Sequence, residues 1–142
     1  MSLTAVLPYF RTRLEALGYE EWRDAFDVEN IPENILDGAY HLELQPSDAS
    51  PANQTVTQFE MPVLVRVFFK GYTNDDSSST VDTVIAAAEN IFNSVLGSSN
   101  RLGVDIKNVT PGSFSVQPKS ISNSNDMILE LNFTAQTMCV FT

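Results

Sequence analysis

Two long segments with apolar residues at every second position constrain the fold more than any other feature of this sequence. In residues 59–69, one face carries Phe59, Met61, Val63, Val65, Val67 and Phe69. In residues 127–141, polar residues alternate with Met127, Leu129, Leu131, Phe133, Ala135 and Cys139. A period of two is typical of strands that bury one face. The two segments therefore predict a β-sheet, and Pro62 predicts a bulge or a sheet edge within the first of them.

Two amphipathic helices are predicted on either side of the first long strand. The first has an apolar stripe from Leu3 to Leu17 at a spacing of three and four, and it ends at Gly18. Pro8 predicts that this helix either starts near that residue or bends there. The second begins with a capping box at Ser79 and ends at Gly97. Its apolar stripe consists of Val81, Val84, Ile85, Ala88, Ile91, Phe92 and Val95.

The remaining segments predict three further strands, at residues 39–44, 102–109 and 113–121, and polar loops at residues 45–55 and 71–79. A turn at residues 110–112 separates two of these strands. The order helix, two strands, helix, three strands indicates one α+β domain, with an antiparallel-rich sheet covered on one face by two helices. The final strand lies either inside the sheet or at its edge, and an edge that long offers unpaired backbone groups to a neighbour. We therefore expect self-association.

Length and composition favour a single cytoplasmically synthesised domain. A chain of 142 residues is long enough to bury a core of its own. No apolar run approaches about 18 residues, and the N-terminus lacks the basic-then-apolar layout of a signal peptide. Cys139 is the only cysteine, so no internal disulfide is expected, which fits a reducing compartment.

The charge balance argues against nucleic-acid binding. Eight Lys and Arg residues face 18 Asp and Glu residues, which gives a formal net charge of −10. Such a surface repels a phosphate backbone, and its simplest use is solubility. In a ring around DNA the same acidity would keep the duplex from sticking as it passes. An acidic mimic of nucleic acid is a further alternative, but it needs carboxylates strung along one exposed face.

One constellation raises the question of catalysis. His41 and Glu43 share a strand face, and Asp37 lies just upstream, so the three side chains offer ligands for a metal-dependent enzyme. A lone histidine with no second His or Cys ligand makes a poor site, and a surface or interface pair is the simpler interpretation. The sequence has no GxGxxG, P-loop or GxSxG motif. We expect no enzyme activity, metal or cofactor.

The segment from residue 14 to residue 44 carries the main functional signal. Tyr19, Trp22 and Phe26 are large aromatic residues in a charged stretch, and we expect the segment to be pinned to the body of the fold by their burial. Ile31-Pro32 breaks any helix before the strand begins, because the residue before a proline favours extended geometry.

The sequence around Glu29-Asn30-Ile31-Pro32 and Tyr40-His41-Leu42 resembles that of the tail terminator, or tail completion, proteins of long-tailed bacteriophages. The resemblance covers residues 11–44 in detail and most of the chain in layout. It implies a virion protein that forms a ring, commonly a hexamer, at the head-proximal end of the tail tube. Its implied partners are the tail tube protein and a head-completion or connector protein, while genomic DNA passes through without specific binding. Another neck or tail component, such as a head-completion or tube-adaptor subunit, is the alternative.

Candidate contact residues follow from this interpretation. Leu64 and Phe68 flank Arg66 on the polar side of the long strand, and they need cover from a helix, a loop or a neighbouring subunit. In a ring, we expect lateral contacts to use sheet edges together with these three side chains. Polar substitution of Leu64 and Phe68 is expected to abolish the ring and leave the monomer folded. The two polar loops are expected to make axial contacts through Asp48, Asn53, Asn74, Asp75 and Asp76.

Overall fold

The fold consists of one sheet with two helices packed on one of its faces, as the sequence predicts. The computed structural model describes residues 5–22, 38–46, 48–51, 56–69, 77–97, 108–118 and 127–140. The elements within these ranges are α1 (Val6–Ala16), β1 (Glu20–Glu21), β2 (Ala39–Leu44), β3 (Asp48–Pro51), β4 (Val56–Phe69), α2 (Ser77–Leu96), β5 (Asn108–Pro118) and β6 (Met127–Val140). The architecture is therefore α+β.

The sheet is built on a long central pair of strands. Its order is β1-β2-β4-β6-β5, and β3 pairs with β4 beyond the end of β2. β4 and β6 have 14 residues each and pair along their full length, from Val56 opposite Val140 to Phe69 opposite Met127. Each described strand pair is antiparallel except β1 with β2. Because β6 lies inside the sheet, β5 is the outer strand on that side.

Two sequence predictions about loops and turns are wrong. Residues 48–51, predicted as part of a polar loop, form β3 and pair with residues 57–60 of β4. Residues 110–112, predicted as a turn, lie inside β5, where the register shifts between Pro111 and Phe114. A β-bulge accommodates the one extra residue without reversing the chain. Glycine is favoured at position 112 because a Cβ atom there would lie 3.0 Å from the Asn132 carbonyl oxygen, closer than an ordinary van der Waals contact.

Pro62 lies within the central strand β4, and the pairing on one side of the strand is interrupted at this residue, in agreement with the prediction of a bulge or an edge there. Its carbonyl accepts a hydrogen bond from the Gln45 backbone N–H at 2.9 Å. The nitrogen and the carbonyl of one residue point to the same neighbouring strand in an antiparallel ladder. The missing N–H of Pro62 therefore faces the gap between β2, which pairs with residues 63–67, and β3, which pairs with residues 57–60.

The core lies between the helices and the sheet. Phe133 of β6 contacts both helices, with ring centroids 5.4 Å from Phe10 of α1 and 5.3 Å from Phe92 of α2. The Tyr9 hydroxyl donates a hydrogen bond of 2.6 Å to the Val95 carbonyl, which ties α1 to α2. The core side chains of β4 are those predicted from the alternation: Met61, Val63, Val65 and Val67.

The ends of the helices agree closely with the sequence. α1 begins at Val6, so Pro8 lies in its first turn, where a proline is tolerated. Gly18 follows the helix with φ of 95°, the left-handed conformation that ends a helix. α2 begins at Ser77, slightly earlier than the predicted cap at Ser79, and its last residue is Leu96, next to Gly97.

Candidate interaction surfaces

The face of the sheet opposite the helices is held by polar side chains that pair across strands. Arg66 on β4 lies between two glutamates, with its Nη1 2.8 Å from Glu43 on β2 and its Nε 3.3 Å from Glu130 on β6. In the N-terminal part of β4, Glu60 accepts a hydrogen bond of 3.2 Å from the side-chain amide of Gln136 on β6. Cross-strand pairs of opposite charge stabilise a sheet locally. This open face is therefore largely polar and internally paired.

Leu64 and Phe68 also lie on this face, but they are not exposed as predicted. Their relative exposures are 7% and 0%. Phe68 packs in a small cluster with Ala39, Trp22 and Ile128. The reason is that the chain after α1 returns along β2, where the backbone N–H of Trp22 donates to the Tyr40 carbonyl at 2.7 Å. Burial of Trp22 was predicted, but the sequence does not say which face of the sheet it covers.

Arg66 is the one member of the predicted lateral contact that keeps partial exposure. Its side chain is 27% exposed, and both ion pairs that it makes are within the chain. A lateral role for Arg66 stays a prediction. Leu64 and Phe68 contribute to the folding of the single chain, so their polar substitution would unfold the monomer as well as any assembly.

His41 holds the Trp22 segment in place. The His41 side chain is buried, and its Nδ1 lies 3.0 Å from the Trp22 carbonyl, so Nδ1–H donates that hydrogen bond. Glu43 shares the face with His41, as predicted, and is paired with Arg66. Asp37 lies outside the described residues. Across the described ranges, no group of three or more His, Cys, Asp or Glu side chains is close enough to hold a metal ion.

A second set of titratable groups joins α1 to β1 and β2. Arg11 Nε lies 2.8 Å from Glu21, and the Tyr40 hydroxyl donates to Glu15 at 3.3 Å. Burial raises the pKa of the Tyr40 hydroxyl well above its ordinary value, and the carboxylates of Glu21 and Glu15 raise it further. The fold therefore stabilises the neutral phenol. These four side chains have a structural role, because they connect α1 to β1 and β2.

The predicted axial contacts fall mainly outside the described residues. Asn53, Asn74, Asp75 and Asp76 belong to the ranges that the structure does not describe. Asp48 lies in β3, where its backbone is opposite Glu60. An axial role for these five residues stays a prediction, although Asp48 belongs to a strand and not to a loop.

The β5 edge is the surface that the sequence analysis missed. β5 has no charged residue along its 11 residues, and no described strand pairs with its outer side. Phe114 is 48% exposed on this strand and contacts Phe92 of α2 with ring centroids 6.1 Å apart. Native edge strands usually carry charges that discourage pairing with another chain. An uncharged run of this length with one aromatic residue is the signal that indicates such a surface.

The opposite edge of the sheet also exposes apolar side chains. Leu44 at the end of β2 is 44% exposed, and Leu17, which precedes β1, is 40% exposed. The remaining large apolar side chain exposed in the described part of the chain, other than Phe114, is Ile85 on α2. The exposed apolar surface is thus divided between the two edges.

No helix in the described ranges combines the length and apolar character needed to cross a membrane. A scan against protein-family models and a search of curated proteins find no match to this sequence.

Proposed function

We propose that this protein is a structural virion component that forms a ring at the head-proximal end of a phage tail tube. The ring ends tube polymerisation and offers the surface to which the filled head is joined. The resemblance of residues 11–44 to tail terminator proteins supports this role, and so does the α+β layout with two helices on one face of the sheet.

The observation that carries the proposal is the uncharged β5 edge with its half-exposed Phe114. The backbone N–H and C=O groups of an edge strand that lack a partner in the chain can bind another strand. An exposed aromatic beside them adds apolar area that is removed from water on association. A surface of this kind fits an assembly protein whose subunits contact one another.

The charges of the described residues are consistent with DNA that passes through without specific binding. Arg11 and Arg66 are engaged in ion pairs with glutamates, and the Arg13 guanidinium lies 4.0 Å from the centre of the Tyr9 ring. These arginines are held by contacts within the chain. With a net charge of −10, the protein as a whole repels a duplex.

A polymerisation assay tests the proposal. The cognate tube protein is allowed to assemble with and without small amounts of this protein, and tube lengths are measured by electron microscopy. We expect shorter tubes that carry a ring at one end, and unassembled protein with a molar mass that rises with concentration. Tubes of unchanged length with bare ends would contradict the proposal. Binding to a head connector without binding to tubes would indicate the head-completion alternative.

A further inference from the structure

We propose that the β5 edge of one copy binds the end of β2, residues 42–44, in the next copy, head to tail, with Phe114 near Leu44. This end of β2 extends beyond β1, which pairs with Ala39 and Tyr40 only. This inference rests on the proposed ring and names its lateral contact. It replaces Leu64 and Phe68, which are buried in the single chain. Each copy would use two different surfaces, which is the arrangement that a closed ring requires.

Strand direction supports the pairing. β2 is antiparallel to β4, β4 to β6, and β6 to β5, so β5 runs opposite to β2. A second copy placed beside β5 by rotation about an axis roughly parallel to the strands presents its own β2 in the antiparallel direction. Over residues 42–44, beyond the pairing with β1, the sheet would then continue from one copy to the next as an antiparallel ladder.

The exposed side chains are matched across the two edges. Phe114 is opposite Leu131, and Leu44 is opposite Val63. Leu131 and Val63 both belong to the core on the helix side of the sheet. Phe114 and Leu44 therefore lie on the same face, at opposite edges, and are 48% and 44% exposed.

The rows of the sheet place the two side chains in diagonal positions, two residues or about 7 Å apart along the strands, a separation that an aromatic ring can bridge. The row that contains Phe114 runs through Leu131 and Val65 to Leu42, which lies two residues before Leu44 on β2. Ile85 lies two helical turns before Phe92 on the side of α2 that faces β5, and it adds to the apolar surface of this edge.

A two-fold contact of β5 with β5 fits these observations less well. It would cover Phe114 but leave Leu44 in water, and it would close as a dimer instead of a ring. The bulge between Pro111 and Phe114 and the missing N–H of Pro111 allow only a short ladder on β5, and the end of β2 beyond β1 is equally short. A short ladder combined with the apolar contact is the geometry that remains.

Mixing two variants tests the proposal. The Leu44→Asp chain keeps an intact β5 edge, and the Phe114→Asp chain keeps an intact β2 edge. We expect each variant alone to associate at least about tenfold more weakly than wild type. Mixed in equal amounts, the two should form a dimer near twice 15.7 kDa, measured by light scattering behind a sizing column.

Controls separate assembly from folding. Ala86→Asp adds the same charge at an exposed position of α2 and should assemble as wild type does. Circular dichroism verifies the fold of each variant. If Phe114→Asp unfolds, Ile85→Asp replaces it, because this substitution weakens the β5 edge without changing a residue of the sheet.

Three outcomes would overturn the inference: a Leu44→Asp chain that assembles normally, a mixture that stays monomeric, and a wild type that stays monomeric up to its highest soluble concentration. The proposed function fails on a different result, which is wild-type protein that leaves tube growth unaffected. Rings that survive Leu44→Asp and still cap tubes would reject only the lateral contact.

Discussion

Replacement of Phe68 by alanine should destabilise the single chain strongly, because Phe68 is fully buried against Trp22, Ala39 and Ile128. Removal of a buried phenylalanine ring typically costs about 3–5 kcal/mol in the free energy of unfolding. The cluster is small and lies on the open face of the sheet, so its neighbours can partly close the gap. We therefore expect about 3 kcal/mol, the lower end of that range. For a domain of this size, this corresponds to a fall of roughly 6–12 °C in Tm.

Urea unfolding followed by fluorescence is the appropriate assay, since Trp22 is the only tryptophan and lies in the same cluster. The matched control is Phe114→Ala, which removes the same ring from a site that is 48% exposed. The control should lose about 1–2 kcal/mol, because roughly half of its area is already in water. The native emission of Trp22 should shift to the red in the Phe68 variant alone.

A Phe68→Ala cost equal to or smaller than that of Phe114→Ala would refute the reasoning. It would mean that Phe68 is accessible in the single chain, and that the lateral contact first expected from the sequence is available after all. Unchanged Trp22 emission together with a large loss of stability would instead place the damage outside the Trp22 cluster.

Three further predictions follow from the contacts of the described residues. Above pH 10, wild-type stability should fall by about 1.4 kcal/mol per pH unit from Tyr40 alone, because the unfolded phenol ionises at 10.0 while the raised pKa keeps the folded one protonated. The stability that the protonated Tyr40 contributes is fully present below pH 10. The difference in urea midpoint between wild type and Tyr40→Phe should therefore become smaller between pH 9 and pH 11. Arg66→Gln should cost about 1 kcal/mol, since both ion pairs are partly exposed, and a cost that does not shrink in 1 M NaCl would contradict an ionic origin. Gly112→Ala should lower the free energy of unfolding by roughly 1–3 kcal/mol, measured by thermal unfolding, because the new methyl group contacts the Asn132 backbone closely. An unchanged stability would show that the backbone at the bulge shifts to accommodate the methyl group.

The elements with a long apolar period were predictable from the sequence. The faces of β4 and β6 follow the alternation of residues 59–69 and 127–137 where burial is described, and α2 follows its stripe to Gly97. The errors arose where a local signal was outweighed by pairing with a distant strand. The sequence Thr110-Pro111-Gly112 is typical of a turn, but pairing with β6 keeps this segment in a strand with a bulge. The polar residues of β3 predict a loop by themselves, but they pair with residues 57–60 of β4, beyond the end of β2.

The contact surfaces were harder to predict, because exposure depends on which strand is outermost. Phe68 and Phe114 are both aromatic residues on strands, and the sequence favoured the wrong one. Phe68 is covered by Trp22, which comes from a segment far away in the chain. Phe114 is exposed because β5, and not β6, ends the sheet. Strand order is set by non-local pairing, which a local pattern does not reveal.

The full-length pairing of β4 with β6 has a consequence for how the chain acquires its structure during synthesis. Phe69 pairs with Met127 and Val56 with Val140, so every contact in the ladder joins residues that are far apart in sequence. Such pairings form late, because the entropy of closing a long loop has to be overcome first. Until β6 leaves the ribosome, the nascent protein carries β4 with one bare edge and its row of valines only partly covered. Translation that stalls before residue 127 would therefore leave an intermediate prone to aggregation.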